Sequence, residues 1–232
     1  MVKKLTFIEH LEELRLRIIK SIVFIILVSG IMYSLKDKIF SYLVKPLGGT
    51  LVFIAPAEAI IATIKIALFG GLFLSSPYIL YHIWDFISEG LGWEEKKHAS
   101  LFGLLSFIFF IAGISFGYFV IVPIAIKFLL GFSTDFVIPM ISVGRYVSFV
   151  GIMTLVFGVV FQLPIAILFL SKIGVVTPRY LSRNRKYAIV IMFIAGAIFT
   201  PPDVITQCLL AVPLLLLYEL SIILSRLINR KR

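Results

Sequence analysis

Acidic and basic side chains crowd the start of this chain, in His10-Leu11-Glu12-Glu13-Leu14-Arg15-Leu16-Arg17. A second acidic group follows in Trp84-Asp85-Phe86-Ile87-Ser88-Glu89 and Trp93-Glu94-Glu95-Lys96-Lys97. Carboxylates set among aromatic rings suit a cationic ligand, because a guanidinium meets a carboxylate in a bidentate fork. The plainer reading is that these acids pair with the chain's own Arg15, Arg17, Lys96 and Lys97. On the residues alone the plainer reading is the favoured one.

Other polar residues allow weaker chemistry. Gly113-Ile114-Ser115-Phe116-Gly117 fits the G-x-S-x-G pattern of a nucleophile elbow, which needs a strand-to-helix turn and a histidine partner. It falls inside an apolar stretch, where the same glycines serve as a small-residue packing face between helices. His10, His82 and His98 have no helical ligand spacing between them, and no metal site is expected. Gln162 stands two residues before Pro164, whose ring frees the carbonyl near Val160. Its amide can bond that backbone, a neighbouring helix or a single-span partner. Lys65 and Glu219 lie at or near intramembrane depth, where charges are functional candidates or snorkel to the surface. With Gln162 they would form the polar path of a small-solute or proton-coupled transporter, the alternative function. No G-x-x-x-x-G-K-[ST] loop is present, so no nucleotide cofactor is expected, and neither is any other.

The elements that position these groups follow from composition. The chain has 232 residues, 60% hydrophobic and 15% charged, with a mean hydropathy of +1.09. About 25% charged residues is usual for a soluble domain. Too little polar material remains to coat a soluble globule, which excludes a water-soluble enzyme or a free nucleic-acid binder. A bilayer core of about 30 Å needs roughly 20 apolar helical residues. The stretches between charges predict an all-α polytopic membrane domain with six transmembrane helices, at about 18–35, 63–86, 99–122, 147–171, 187–200 and 204–225. The fifth is short: Pro201-Pro202 stops it, and 14 residues reach about 21 Å. With the sixth, which Asp203 can cap, it forms a hairpin that calls for a thinned bilayer or shelter beside other helices.

The net charge of +10 reports orientation. With the N-terminus inside, sixteen of the 22 basic residues fall on the inner face and six outside, so both termini are cytoplasmic. Eight of the twelve acids share that inner half: Glu9, Glu12, Glu13, Asp85, Glu89, Glu94, Glu95 and Glu219. The first twenty residues are charged and amphipathic with no small-residue cleavage site after them, so no cleavable signal peptide is expected. Cys208 is the only cysteine, which excludes an intrachain disulfide. No internal repeat is visible, unlike transporters built from inverted halves. The outer loops, 35–64 and 122–146, are apolar and carry amphipathic pieces such as residues 38–43, and are expected to form a structured cap.

These pieces resemble the TatC family, the multispanning receptor subunits of the twin-arginine protein translocase. The resemblance runs along the whole chain. It rests on His10 to Arg17, Pro46-Leu47 and Ser76-Pro77-Tyr78-Ile79-Leu80-Tyr81-His82-Ile83-Trp84-Asp85-Phe86. It continues through Phe116-Gly117-Tyr118-Phe119 to Pro123, Phe157-Gly158 to Phe161-Gln162-Leu163-Pro164, and Phe199-Thr200-Pro201-Pro202-Asp203-Val204 to Gln207.

The resemblance implies a non-enzymatic receptor in the bacterial cytoplasmic (inner) membrane. It would bind the paired arginines of signal peptides on folded cargo at the cytoplasmic face, through Glu13 and Glu95 with Arg17 and Phe86 beside them. It implies partners too: single-span TatA- and TatB-like subunits docking at Gln162, Thr200 and Gln207, membrane lipid, and an oligomeric complex driven by the proton-motive force. Gln162 departs from the pattern, since many members carry a glutamate there. An amide can hydrogen-bond a partner helix but carries neither charge nor a transferable proton.

Overall fold

The structure is a computed structural model that describes residues 7–89, 93–133, 139–199 and 204–229. Ten α-helices appear among them: α1 (Phe7–Ser34), α2 (Lys36–Val44), α3 (Pro56–Glu89), α4 (Trp93–Phe116), α5 (Val122–Leu130), α6 (Val143–Val160), α7 (Leu163–Lys172), α8 (Pro178–Arg183), α9 (Arg185–Phe199) and α10 (Val204–Asn229). A π-helical turn, Gly117–Ile121, joins α4 to α5.

Five stretches among the described residues are long and apolar enough to cross a membrane: Ile8–Ser34, Pro56–Ser88, Ser100–Leu130, Val143–Lys172 and Val204–Leu227. The fifth predicted span corresponds to α9, whose 15 residues rise about 22 Å and fall short of that length. Several helices outrun the charge-free stretches that predict them. Nothing between Phe7 and Gly30 breaks a helix, so the charged segment 8–17 is continuous with the first apolar span. Residues 122–130, expected as outer loop, are helical and extend the third span as α5. Pro123 is tolerated there because the wider π turn before it relieves the clash of its ring with the preceding backbone.

Prolines inside the helices are met by local substitutes. Pro77 has no N–H for the carbonyl of Phe73, and the Ser76 hydroxyl donates to that oxygen instead, at 2.7 Å. α3 therefore runs through Pro77 without a break. At Pro164 the chain does break: α6 stops at Val160, Phe161 and Gln162 form a turn, and α7 begins at Leu163. Gly174, at φ +83°, ends α7 in the left-handed region, and the N–H groups of Val175 and Val176 close on the Leu170 carbonyl.

The α6–α7 stave is the centre of the bundle. Over half of its span window (56%) is buried, against 17% for α1, which packs along α3 at the edge. Phe157, Val147 and Val122 have no exposed surface. The glycines of the G-x-S-x-G pattern are spacers here. A Cβ at Gly113 would run into the Phe157 carbonyl and one at Gly117 into Phe157 and Thr154, so both let α4 and α6 approach backbone to backbone.

The arrangement of helix ends follows from specific contacts. Arg17 reaches Asp85, the Trp84 ring meets those of Phe102 and Phe169, and the Ser171 and Ser225 hydroxyls lie 2.5 Å apart. The beginnings of α1 and α4 and the ends of α3, α7 and α10 therefore share one face, hereafter the N-terminal face. The opposite face carries the two long loops, locked together. Val52 and Ser142 form a parallel β-bridge, with Val52 N–H on Ile141 O and Val143 N–H on Val52 O. The hydroxyls of Tyr118 and Tyr146 cap the last turn of α2 at the carbonyls of Tyr42 and Leu43.

Candidate functional site

The N-terminal face holds a cluster of charged side chains on α1 and α3. Glu13 and Arg17 stand four residues apart on α1, one turn of helix, so their side chains meet. The Arg17 guanidinium donates from Nε to Glu13 Oε1 at 3.1 Å, and its NH2 nitrogen reaches the same oxygen. Its NH1 nitrogen donates to Asp85 Oδ2 at 2.7 Å and to the His82 carbonyl at 3.2 Å. Arg17 is only 8% exposed, whereas the side chains of Glu13 and Asp85 are 28% and 38% exposed. The result is a guanidinium clasped between two carboxylates on two helices, with the acids at the rim and the cation beneath them. Charge-assisted bonds of this kind are roughly twice as strong as neutral ones.

Phe86 completes the rim. Its ring stacks on His10 of α1 with centroids 4.2 Å apart. Beneath, His82 packs edge-on against Tyr78 and Tyr81, and Tyr78 stacks on Phe24. Both His82 ring nitrogens are buried without a hydrogen-bond partner among the described residues. Beside Asp85 a cavity of about 420 Å³ opens between α3 and α4, lined mainly by Pro77, Tyr81, Trp84, Gly103 and Phe107. Polar rim and apolar slot thus share Asp85.

The sequence-predicted residues fare differently. Glu13, Arg17 and Phe86 converge in this cluster. Glu95 falls in the first turn of α4, and its side chain lies outside the described residues. Thr200 also lies outside them. Asp85 belongs to the cluster but was not singled out as a binding residue. Its signal was available: it is the acid that ends the charge-free stretch beginning after Lys65. Glu13 pairs with the chain's own Arg17, which is the plainer of the two readings of the acids.

Gln162 and Gln207 each tie two helices. Gln162 Nε2 donates to the Ser106 carbonyl of α4 at 3.0 Å, and the Ser106 hydroxyl accepts from Trp84 Nε1 at 2.7 Å. Gln207 Nε2 donates to the Phe193 carbonyl at 2.8 Å and closes the α9–α10 hairpin. Gly196 makes room there, since a Cβ would sit 3.0 Å from Gln207 Cγ. Lys65 and Glu219 do not join Gln162 in a polar path. Lys65 donates to Ser148 at 2.7 Å, and Glu219 accepts from Arg185 at 2.8 Å on the N-terminal face.

Comparison with known proteins places this geometry. The family described as Sec-independent protein translocase protein (TatC) matches residues 9–213. Proteins named Sec-independent protein translocase protein TatC are similar over nearly the whole chain. The one from Carboxydothermus hydrogenoformans is 42% identical over 99% of this chain and 96% of its own length. The one from Aquifex aeolicus is 43% identical over 97% and 96%. The one from Desulforapulum autotrophicum is 40% identical over 99% and 87%. A crystal structure described as the twin arginine translocase receptor TatC superposes with a TM-score of 0.87 at 43% identity, covering 94% of this chain and 99% of that one.

Proposed function

The chain belongs to the TatC family of Sec-independent protein translocase proteins, and from that premise we propose that it is the receptor for paired arginines in the signal peptides of folded cargo. It is a multi-pass membrane component of protein transport and not an enzyme. One observation supports the binding site above the others. The N-terminal face already holds a buried guanidinium between Glu13 and Asp85, so the local chemistry is that of arginine recognition. An incoming arginine meets Glu13 at the rim and Glu95 from the start of α4, with Arg17 fixing Glu13 and Phe86 walling the site. The apolar stretch behind a signal's arginines then has the slot beside Asp85, between α3 and α4, as its first landing.

In this reading the N-terminal face is cytoplasmic, which agrees with the basic excess on that half. α9 counts as a sixth, short crossing, so the chain spans the bacterial cytoplasmic membrane six times with both ends inside. Single-span TatA- and TatB-like subunits dock at Gln162, Thr200 and Gln207. Gln162 and Gln207 use their N–H groups within the chain, which leaves each amide oxygen to accept from a partner helix. With no nucleotide-binding loop, the energy comes from the proton-motive force.

The test is binding of a labelled twin-arginine signal peptide to the purified protein and to Glu13→Ala and Glu95→Ala variants. Each substitution is expected to weaken binding about tenfold, the worth of one charge-assisted bond. A Lys-Lys peptide should bind the wild type more weakly, because an ammonium lacks the planar fork. Equal binding of both peptides to both variants and the wild type overturns the proposal.

A further inference from the structure

A second cationic site lies on the face opposite the N-terminus. There a cleft of about 550 Å³ separates the first turns of α3 from the start of α6. Its polar wall carries Lys65, Arg145, Ser148 and Glu58. Lys65 Nζ donates one bond, to Ser148 Oγ at 2.7 Å, and has two more protons to give. Arg145 is exposed, and its guanidinium has no hydrogen-bond partner among the described residues. Glu58 is the one anion lining the cleft, and its carboxylate is held by neutral donors and not by either cation. Its oxygens accept from the Ile54 and Gly144 N–H groups at 2.8 and 2.9 Å and from the Ser142 hydroxyl. The N-terminus of α6 is therefore filled by Glu58, and the two cations are left to serve something else. The cleft as a whole has one positive charge in excess.

The depth of the cleft narrows the ligand. Lys65 and Asp85 lie twenty residues apart on α3, which at helical rise is about 30 Å, the thickness of a hydrocarbon core. With Asp85 at the opposite boundary, Lys65 sits at headgroup level. The apolar side of the cleft supports the same placement. Leu68 on α3 and Ile152 on α6, one turn inward from Lys65 and Ser148, are exposed and begin an apolar lane toward the N-terminal face. A phosphate bearing acyl chains fits this arrangement, with the anion on the two cations and the chains along the lane.

We infer that the cleft between α3 and α6 binds the phosphodiester headgroup of an anionic phospholipid in the leaflet opposite the N-terminal face. Lys65 supplies a point charge, Arg145 a fork, and Ser148 orients the lysine. One bound monoanion neutralises the excess charge. The consequence is mechanical as well as electrostatic. Both helix starts bracketing the lipid also anchor the bridged loops, so the headgroup ties the cap to the membrane.

The test is native mass spectrometry of the whole protein in mild detergent with equimolar phosphatidylglycerol and phosphatidylcholine. The wild type is expected to retain phosphatidylglycerol with about tenfold preference. The Lys65→Gln/Arg145→Gln variant should fall to no preference, Arg145→Lys should keep most of it, and Lys127→Gln, an exposed cation outside the cleft, should behave as wild type. Circular dichroism checks that the helices persist. If the double variant does not fold, Arg145→Gln alone carries the test, because that side chain is exposed and has no partner among the described residues. A preference that survives in the double variant overturns the inference. So does an equal loss in Lys127→Gln, which would mean general attraction to the surface. Displacement of the lipid by inorganic phosphate at matched concentration would assign the cleft to free phosphate and overturn the lipid assignment.

Discussion

Replacing Arg17 by lysine keeps the charge and removes the fork, and this isolates what the clasp contributes. The guanidinium's contacts include two to Glu13 Oε1, one to Asp85 Oδ2 and one to the His82 carbonyl. A lysine ammonium concentrates its donors on a single atom and cannot bridge acids on α1 and α3 with the same reach. Two charge-assisted bonds are lost, each worth about 1.5–3 kcal/mol when buried. The acids are 28% and 38% exposed, so solvent screening roughly halves that sum, to about 1.5–3 kcal/mol. At 2–4 °C per kcal/mol for a chain of this length, the midpoint should fall by about 3–12 °C. Arg17→Ala should cost about 1 kcal/mol more, because it leaves two carboxylates without their shared cation. The assay is thermal unfolding in detergent followed by circular dichroism, repeated in a Glu13→Gln/Asp85→Asn background. There the lysine substitution should cost under about 0.5 kcal/mol, since neutral acceptors make weaker bonds. A wild-type midpoint for Arg17→Lys, or the same drop in both backgrounds, would refute the clasp as the reason Arg17 is buried.

Three further outcomes follow from the packing. Gly113→Ala should destabilise the fold by about 1–3 kcal/mol, because its methyl group meets the Phe157 carbonyl, whereas Gly30→Ala, which faces open space, should be neutral or stabilising by up to about 1 kcal/mol in the same unfolding assay. Glu219→Gln should change stability by less than about 1 kcal/mol, less still at high salt, since that pair is nearly half exposed on both sides. Gln207→Leu removes the bond to Phe193 and should cost about 1 kcal/mol; on the proposed function it should also lower recovery of a co-expressed single-span partner, measured by co-purification.

Most of the bundle was legible because burial in lipid demands long apolar runs, and the spacing of charges marks them directly. What that spacing measures is apolar length and not helix length. The first helix therefore begins at Phe7, well before its apolar stretch, and α5 continues past the expected end of the third span. The bond from Ser76 to Phe73 explains why Pro77 left no break, while Pro164, without such a substitute, did. The interlocked loops were legible as apolar and amphipathic. Their register was not, because the bridge between Val52 and Ser142 joins residues ninety positions apart, which no local pattern encodes.

The site was legible as composition and not as geometry. Sequence placed carboxylates and arginines on one face, but pairing depends on which helix stands beside which. Only the packing of α1 on α3 brings Asp85 to Arg17. Once that contact exists, the role of Arg17 changes. A free Glu13 on an exposed turn would be a flexible, well-hydrated acid with little preference among cations. Held by Arg17, it has a fixed direction and remains partly exposed, and on the proposed function this is the edge that the fork of an incoming arginine meets. The same clasp sets a limit on affinity. With a signal's arginine bound as proposed, Glu13 would share its charge between two guanidinium groups, and the new bond is weakened by the one already present. Arg17→Ala should therefore separate two consequences that the wild type combines. Glu13 gains charge available to a ligand and loses its orientation, so peptide binding should become more dependent on salt even where its affinity changes little.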